Sequence, residues 1–338
     1  MNYQQAVQDT WRHTDPAGDR SDHVDLVRYA TLAASSHNTQ PWRFKLEPAR
    51  ITILPDLTRR CPAVDPDDHH LYASLGCAAE NLLLAARAAG LQGTPTYEPH
   101  QSNVQIHLEP TAPVRSALFE AIPQRQCSRA QYDGTALPAE QLRLLERAGC
   151  GSGVTLRLLT TEEEKEQIAE YVAAGNTTQF ADLAWKAELQ SWIRFNARDA
   201  VSTRDGLYGP VMGNPDVPAW VGKLFMRYAF SAGKQNTKDY KNIRSAGAVA
   251  VFISERDDQA HWIEAGRCYQ RFALQATALE LRTAFINQPV EVAALRAQFA
   301  NYLGIAVGRP DLIVRVGRGP PMPRTLRRPV AKVLVPSR

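Results

Sequence analysis

Residues 124–129 read Q-R-Q-C-S-R, and this short stretch decides how the rest of the chain is interpreted. Arg125 and Arg129 stand four residues apart and flank Cys127 and Ser128. A guanidinium can pair with a phosphate through two parallel hydrogen bonds, and small neighbours let backbone N–H groups approach the same oxygens. The stretch therefore indicates an anion site. A solvated arginine pair at a loop–helix junction is the alternative.

The length and composition bound what the chain can be. Its 338 residues exceed one ordinary single-core domain, so we expect two cores or one large composite core. A net charge of +4, with no basic stripe, gives no argument for nucleic-acid binding. No apolar run approaches the roughly 20 residues of a membrane span, and residues 1–9 lack a signal-peptide core. We therefore expect a cytoplasmic protein without a membrane partner.

The cysteines and histidines give no sign of disulfides or metals. The five cysteines are an odd number and form no C-x-x-C pair, which is typical of reduced thiols in the cytoplasm. His69 and His70 are adjacent, and we do not interpret the carboxylates near them as partners on one helix face. We expect no metal site and a surface or loop position for this pair.

Hydrophobic periodicity predicts long helices alternating with short strands. Residues 1–22 are predicted as a helix followed by a turn, with Asp22 capping the next helix. The predicted helices cover 25–34, 71–89, 112–121, 137–148, 162–174, 262–281 and 290–303. The predicted strands cover 43–46, 51–54, 94–97, 103–108, 154–159, 246–253 and 312–316. Residues 176–245 are predicted as irregular and residues 283–289 as a loop.

A polar loop follows the helix predicted over 25–34. Residues 35–40 read S-S-H-N-T-Q, and Pro41 and Trp42 close the loop. So many hydrogen-bonding side chains between two apolar elements favour a binding loop anchored by the indole. An ordinary capped turn is the alternative.

The two longest apolar helices can be superposed in sequence. Residues 76–91 match residues 266–281 at an offset of 190, with Gly76 and Gly266 at equivalent positions. The pattern predicts an internal duplication: a first half over 1–115, a second half over 116–338, and an insertion over 176–245 inside the second. Only the second half carries the arginine pair, so one anion site per chain is expected.

The predicted insertion is rich in aromatic residues, which disordered segments lack. Within eleven residues it carries Trp220, Phe225, Met226, Tyr228 and Phe230. Long connections inside compact domains often serve as lids. We predict a lid over the site, with a small helical subdomain packed by these aromatics as the alternative.

Three motifs together resemble one family. The segments S-S-H-N-T-Q-P-W-R-F, L-G-C-A-A-E-N-L-L-L-A-A-R-A-A-G-L and R-Q-C-S-R are similar to those of the FMN-dependent nitroreductase superfamily. The chain looks most like its double-length, Acg-like branch, in which one polypeptide imitates the usual homodimer. The resemblance implies an α+β fold: two tandem pseudo-symmetric units with mixed, mainly antiparallel sheets wrapped by helices. It also implies FMN at the junction of the two units.

The resemblance implies roles for the motif residues. Arg125 would hold phosphate or ribityl oxygens, and Arg129 would reach the pyrimidine edge of the flavin. Cys127 stands where the family often has serine, which leaves its backbone N–H as the secure contact, and Ser128 follows it. The cofactor-binding residues expected elsewhere are Ser35, Ser36 and Asn38 in the loop lent across the interface, Asn287 and Gln288 near the flavin N(5) edge, Arg327 and Arg328 near the phosphate, and Arg194 at the ribityl chain or ring. Gln288-Pro289 departs from the acidic residue and glycine that are typical there.

The function implied is an oxidoreductase in which NAD(P)H reduces FMN and a nitroaromatic, quinone or related small molecule then takes the electrons by a ping-pong mechanism. No side chain is expected to act as a general base. A protein that stores FMN under a lid is the second reading, and a scaffold with a lapsed site is the third. Because one chain supplies both halves, a monomer is sufficient, and a dimer is left open.

Overall fold

The structure is a computed structural model that describes residues 2–14 and 23–336. The turn predicted before Asp22 and the cap predicted at Asp22 lie outside these residues. The helices are α1 Tyr3–Trp11, α2 Val24–Thr31, α3 His69–Ala88, α4 Ala117–Ala121, α5 Ala139–Gly149, α6 Glu162–Ala181, α7 Leu183–Trp192, α8 Ala197–Thr203, α9 Ala219–Tyr228, α10 Ala232–Arg244, α11 Gln259–Ala278, α12 Gln288–Glu291 and α13 Ala293–Tyr302. The strands are β1 Trp42–Glu47, β2 Arg50–Pro55, β3 Leu91–Glu98, β4 Asn103–Pro110, β5 Val154–Leu159, β6 Ile193–Arg194, β7 Leu207–Tyr208, β8 Ala248–Ser254, β9 Arg282–Phe285 and β10 Arg309–Gly317.

Two four-stranded sheets organise the chain. Their strand orders are β1-β2-β4-β3 and β5-β8-β10-β9, and every pairing in both is antiparallel. Each sheet thus follows the same order of first, second, fourth and third strand, with one long helix (α3 or α11) between the second and third. The predicted α+β class and pseudo-symmetric pair of units are confirmed. A search for a helix both long and apolar enough to cross a membrane finds none in the described residues.

The two long helices pack directly on each other at two glycines. A Cβ added to Gly76 would lie 1.9 Å from the carbonyl oxygen of Ile263. A Cβ added to Gly266 would lie 1.9 Å from the carbonyl oxygen of Ala73. The same offset of 190 that relates the glycines also relates Ala73 to Ile263. Only glycine permits such an approach of two backbones, so this contact fixes the crossing of α3 and α11.

Polar contacts beside this crossing repeat the symmetry. Gln270 Nε2 donates to Asn81 Oδ1 at 2.7 Å, and Arg271 Nη1 donates to Glu80 Oε2 at 2.9 Å. The offset of 190 converts Glu80 to Gln270 and Asn81 to Arg271, so it exchanges one contact for the other. The duplication predicted from sequence therefore describes a real pseudo-two-fold relation between the long helices.

The prediction of irregular structure over 176–245 is wrong. Helix α6 runs to Ala181, and α7 to α10 fill most of the remainder. One of the residues interpreted as a break, Pro218, immediately precedes α9 instead, as the fixed φ of proline allows. Side chains of Asp182 and Asn196 cap α7 and α8. The segment is therefore a helical layer rather than an irregular connection.

Three smaller predictions are also corrected. The helix predicted over 112–121 begins only at Ala117, because Pro113 disfavours helical backbone before it and Ser116 caps the later start. The loop predicted over 283–289 is instead β9 followed by α12. His69 and His70 are buried in the first turn of α3 rather than on the surface.

Candidate functional site

A cavity of about 590 Å³ lies between side chains of both units, within the size range of small-molecule sites. The first unit contributes residues 34–38 and the α3 residues Ala73, Ser74 and Cys77. The second contributes Arg125, Arg129, residues 284–288 and Arg315, and the C-terminal segment adds residues 323–325 and Arg327. Helices α6, α7, α9 and α10 form the remaining wall. The cavity therefore depends on both halves of the duplication.

Three arginines gather at one part of this cavity. Arg125 Nη2 donates to Leu32 O at 3.1 Å, and Arg327 Nη2 donates to Ala33 O at 3.1 Å. Arg324 Nη2 donates to the carbonyl oxygen of Arg125 itself at 2.9 Å. Arg125 is 3 % exposed and Arg327 5 %. None of the three forms an ion pair with any described residue, so their positive charges are uncompensated within this part of the chain.

The electrostatics of this trio indicate a missing anion. Burial, followed by the charges of Arg125 and Arg324, holds the pKa of Arg327 well below its ordinary value. Burial and the charge of Arg125 lower the pKa of Arg324 to about 10. The Nε atoms of Arg125 and Arg327 are buried without a hydrogen-bond partner. A doubly charged phosphate would relieve this repulsion and accept the free donors.

Trp11 supports the trio from the first unit. Its ring lies under the guanidiniums of Arg324 and Arg327, 4.1 Å and 4.8 Å from their central carbons. Its indole Nε1 donates to Thr325 O at 2.8 Å. Cation–π contacts of this kind hold guanidiniums in place without neutralising them. The tryptophan thus orients the cationic end of the cavity.

The polar loop of the first unit reaches the same place. Asn38 Oδ1 accepts from Arg327 Nη1 at 2.9 Å, and the loop residues Ser35, Ser36, His37 and Asn38 all line the cavity. His37 and Asn38 have φ of 46° and 54°, a conformation that Asn tolerates well. The Ser36 backbone N–H donates to an α3 hydroxyl at 3.4 Å. The left-handed turn therefore directs this row of polar groups into the cavity.

A second cationic group lies farther along the wall. Arg129 lines the cavity and has no hydrogen-bond or ion-pair partner among the described residues. Arg315, 2 % exposed, donates through Nη2 to Ser128 O and Ala130 O, while its Nη1 has no partner. Lys238 Nζ donates to Met212 O at 2.8 Å. These cations suit a ligand group that carries or develops negative charge.

Cys127 and Ser128 separate from each other in the structure. Cys127 lines the cavity and its backbone forms a bridge with Thr283 of β9. The Ser128 N–H donates to Thr283 O at 2.9 Å and its hydroxyl to Pro320 O at 3.2 Å. Ser128 does not line the cavity, against the prediction, because both of its donors hold the polypeptide framework.

Two further predicted residues lie away from the cavity. Arg194 Nη2 donates to Asp205 Oδ1 at 2.6 Å, and the same carboxylate also pairs with Arg59. Arg328 Nη1 donates to Gln40 O at 3.1 Å. The expected cofactor contacts of Arg194 and Arg328 are therefore corrected: both guanidiniums are engaged by the protein itself and neither lines the cavity.

Asn287 and Gln288 lie at the cavity as expected. Asn287 Oδ1 accepts the N–H of Ile313 at 2.8 Å, which fixes its orientation and directs Nδ2 toward His70 Nε2 at 3.3 Å. The His70 nitrogen must then accept, so the proton of a neutral His70 sits on Nδ1. Gln288 Nε2 donates to Asn176 at 3.1 Å, and its Oε1 has no partner. A hydrogen bond to the protein thus fixes each amide: the Ile313 N–H holds Asn287, and Asn176 holds Gln288.

Asp65, His69 and His70 place ligand-type atoms within 4.8 Å of one another in a buried cluster. Asp65 already accepts the backbone N–H groups of His70 and Leu71, each at 3.0 Å. One nitrogen of a neutral His70 accepts from Asn287 and the other carries a proton, so a metal ion would have to displace the Asn287 amide and a proton together. Proton uptake requires only that the Asn287 amide move off Nε2.

Apolar side chains of the β5–β8 connection (residues 160–247) form the wall opposite the polar groups. The largest that line the cavity are Phe180, Trp185, Phe195, Phe225, Met226 and Phe230. Trp220 and Tyr228 are 70 % and 71 % exposed and do not line it, although the lid prediction included them. The α9 helix therefore covers the cavity with one face only.

Several cavity residues escaped the sequence analysis. They are Trp11, His37, Tyr269, Arg315 and Arg324. The tail segment P-R-T-L-R-R did signal positive charge, but the choice of its last two arginines missed Arg324. Twelve buried side-chain polar atoms of the described residues lack a partner, and seven of them belong to cavity residues: His37, His70, Arg125, Tyr269, Gln288, Arg315 and Arg327. This concentration indicates that a polar ligand completes the site.

Comparison with known proteins gives full-length relatives. A Mycobacterium tuberculosis protein that carries the name NAD(P)H nitroreductase is 28 % identical over 329 residues, covering 91 % of this chain and 90 % of that protein. The M. tuberculosis NAD(P)H nitroreductase named acg is 24 % identical over 323 residues, 91 % of this chain and 93 % of its own. A Serratia protein named NAD(P)H nitroreductase PigM is 27 % identical over 207 residues, 55 % of this chain and 56 % of its own. No family model matches the chain.

Solved structures give weaker matches. A Bacteroides fragilis nitroreductase with bound FMN is 15 % identical and covers 61 % of this chain and 90 % of its own, with a TM-score of 0.38. A Desulfovibrio desulfuricans nitroreductase in complex with FMN, also 15 % identical, covers 67 % and 99 %, with a TM-score of 0.39. Scores below 0.5 do not establish a common fold, and the fold described above rests on this chain's own strand order. The full-length relatives confirm the resemblance to the nitroreductase superfamily and its Acg-like branch.

Proposed function

We propose that this chain, a member of the nitroreductase superfamily, binds one FMN in the cavity and works as an NAD(P)H-dependent oxidoreductase. The observation that carries the proposal is the trio of Arg125, Arg324 and Arg327. Three guanidiniums share one end of a cavity, have no counterion among the described residues, and leave buried donors unpaired. A phosphate monoester with an aromatic ring attached satisfies both this end and the apolar wall opposite it.

The residues present fit FMN. Arg125, Arg324 and Arg327 would hold its phosphate, and Arg129 with Arg315 would hold the pyrimidine edge of its ring. When bound, FMN supplies hydride transfer, which no side chain of the chain can provide. The two cations at the ring end would stabilise negative charge there and so favour the reduced form.

The chain's other contribution is orientation and shelter. Asn287 and Gln288 would orient the edge of the flavin ring. Their amides are already fixed by hydrogen bonds to Ile313 and Asn176. The aromatic wall would exclude water and set the size of an acceptor such as a nitroaromatic or a quinone. Because donor and acceptor would share one cavity, we expect them to bind in turn, which gives ping-pong kinetics.

FMN storage is the second candidate, and the position of α9 favours it. Phe225, which is 50 % exposed, and Phe230 border the cavity on the side of α9, so a helix that packed more tightly would leave less room for a second molecule. An enzyme and a storage protein would then differ only in whether α9 moves away from the cavity to admit a second molecule.

The test is a flavin titration followed by reduction. Protein freed of flavin and reconstituted with FMN should hold about one FMN per chain, since one arginine trio exists in the described residues. NADPH or NADH should bleach the flavin band, and nitrofurazone or a quinone should restore it. Bleaching without restoration would support storage, and a chain that binds no FMN would overturn the proposal.

A further inference from the structure

A second cavity, of about 250 Å³, shares a wall with the first. Val64, His70 and Glu291 line both cavities. The second cavity is otherwise bordered by Asp65, Pro66, Asp67, Ala293, Arg296 and Arg309. The side chain of Asp67 there is 37 % exposed, so this cavity reaches solvent. Two titratable side chains therefore separate an outer, charged cavity from the cavity assigned above to FMN.

We propose that His70 and Glu291 form a proton-conducting wall between the outer cavity and the main one. The inference rests on the proposed function and assigns these two residues the delivery of the proton that acceptor reduction consumes. A quinone that gains a hydride, with its electron pair, also needs one proton from another source to become a hydroquinone. Overall, NAD(P)H, a proton and the quinone give NAD(P)⁺ and the hydroquinone.

The contacts of Glu291 suit a proton donor. Its Oε2 accepts from Gln179 Nε2 at 2.6 Å, which fixes the carboxyl group while Oε1 receives no side-chain donor. Withdrawal from bulk water raises the pKa of Glu291, so the acid form persists to higher pH than for an exposed glutamate. On donating its proton toward the main cavity, Glu291 becomes a carboxylate and must recover the proton from the outer side.

His70 provides the connection for that recovery. Its Nε2 accepts from Asn287 at the main cavity, and its Nδ1 lies 3.6 Å from Asp65 Oδ1 without a hydrogen-bond partner. That separation is that of a close ion pair, slightly longer than a hydrogen bond. Burial lowers the pKa of His70, but the Asp65 carboxylate more than offsets this and raises it. The imidazole thus takes up a second proton more readily than burial alone would allow, once the Asn287 amide moves off Nε2.

The pH response of Glu291 depends on the charges around it. The titratable groups that face it belong to the loop before α3, to α3 and to α7: Cys61, Asp65, His70 and Glu188. Arg296 and Arg309 add positive charge at the outer cavity, although Arg309 is paired with Asp67 and Asp257. The neighbouring carboxylates oppose ionisation of Glu291, and the cations favour it.

The test compares Glu291→Gln with the matched variant Glu188→Gln. Glu188 also has a raised pKa, but it accepts backbone N–H groups of Ala63 and Val64 and lines neither cavity. With FMN bound, Glu291→Gln should slow reoxidation by a quinone at least tenfold and flatten its pH profile. Reduction by NADPH consumes no proton and should stay within twofold. Glu188→Gln should leave both half-reactions and their pH profiles unchanged.

An infrared titration of the FMN-free protein provides a readout that is independent of turnover. A carboxylic-acid C=O band that persists to higher pH than for an exposed glutamate should appear when the Glu291→Gln spectrum is subtracted from that of the parent or of Glu188→Gln. The band of Asp311, whose pKa is raised by burial to about 7, is common to all three proteins and cancels. The proposal is overturned if Glu291→Gln reoxidises at the parental rate, if it loses both half-reactions together, or if the difference spectra contain no such band. Failure of the parent to bind or reduce FMN would instead count against the proposed function, which the flavin spectrum shows separately.

Discussion

The two units of this chain share one strand order but differ in what connects the strands. In the first unit, β1 and β2 are joined by a tight turn, and β3 and β4 by a single 3-10 turn, Pro99–Gln101. In the second unit, the equivalent connections hold α6 to α10 and then α12 and α13. Of these added helices, α6, α7, α9, α10 and α12 line the cavity. The comparison teaches that the duplicated core supplies the scaffold and that the longer connections of one copy supply most of the site.

The units also divide the charges unequally. Arg125, Arg129 and Arg315 come from the second unit and its approach segment, whereas the first unit contributes the polar loop and the ring of Trp11. Residue 11 precedes α2 much as Arg125 precedes α5, so the first copy places an aromatic ring where the second places a cation. In the proposed function, the second unit therefore supplies cations for the anion, and the first unit orients cations through its ring and polar loop.

Breaking the symmetric crossing should have the largest effect. Gly76→Ala and Gly266→Ala each place a Cβ 1.9 Å from a backbone oxygen that cannot move without shifting the partner helix. We expect each to lower the free energy of unfolding by more than about 3 kcal/mol, or to prevent folding. Chemical denaturation followed by circular dichroism measures this. Gly233→Ala in α10, where an added Cβ meets nothing within 4 Å, is the matched control and should stabilise by up to about 1 kcal/mol.

If only one of the two variants, Gly76→Ala or Gly266→Ala, destabilised the protein, the two glycines would not make equivalent contacts. The pseudo-two-fold relation would then not hold at this crossing. Equal losses in both would support it, because the two glycines face equivalent carbonyl oxygens.

Removal of one cation from the second unit should come next. Arg125→Ala deletes a buried, charge-assisted donor, and such contacts are worth roughly 1.5–3 kcal/mol, so FMN affinity should fall about tenfold to a hundredfold. Fluorescence titration with FMN measures it. Arg194→Ala and Arg328→Ala are the controls, since both guanidiniums bind protein groups away from the cavity. A loss of affinity in Arg194→Ala equal to that in Arg125→Ala would contradict the site described here.

Arg125, Arg194 and Arg324 show which site residues a sequence can predict and which it cannot. Arg125 was predictable because a motif places it before a helix that leads into the core. Arg194 was not excluded, because its partner Asp205 lies on the far side of α8 and no local pattern pairs them. Arg324 depends on the path of the tail, which passes back over the first unit until Leu334 pairs with Phe44 of β1. Local periodicity identified the strands and long helices. It carries no information on where a C-terminal segment packs against a distant part of the chain.

The helices between β5 and β8 were not predicted from the sequence, for a related reason. Two of its helices, α6 and α7, show little amphipathicity, since one side packs on the core and the other borders a cavity that needs apolar residues too. Helices α9 and α10 are amphipathic and were missed in spite of that signal. Phe180 and Trp185, for example, pack with Cys61 and Val64 and also line the cavity. A helix with two partly apolar faces does not show the single stripe that periodicity detects.

A smaller effect is expected from the α9 wall. Phe225 and Tyr228 belong to the same helix, but only Phe225 lines the cavity. Phe225→Ala should speed FMN release on the order of tenfold, because an aromatic contact is worth roughly 0.5–1.5 kcal/mol beyond its buried area. Tyr228→Ala is the matched control and should leave the release rate unchanged. Stopped-flow fluorescence after dilution measures both, and equal rates in the two variants would mean that α9 does not retain the cofactor.

The smallest expected effect concerns His37, in the loop that the first unit supplies. Burial, followed by the charges of Arg129 and His70, lowers the pKa of His37 to about 4 from 6.5. The unfolded chain then takes up the proton first as pH falls, so the contribution of His37 to stability is complete above pH 6.5 and is lost between that value and about pH 4. Between roughly pH 7 and 5.5 the loss should be about 1 kcal/mol. His37→Asn tolerates the left-handed backbone and should remove this slope from urea unfolding curves, whereas His107→Asn, at an exposed position on β4, should keep it. A His37→Asn protein with the parental slope would mean that folding leaves the pKa of His37 near its value in the unfolded chain.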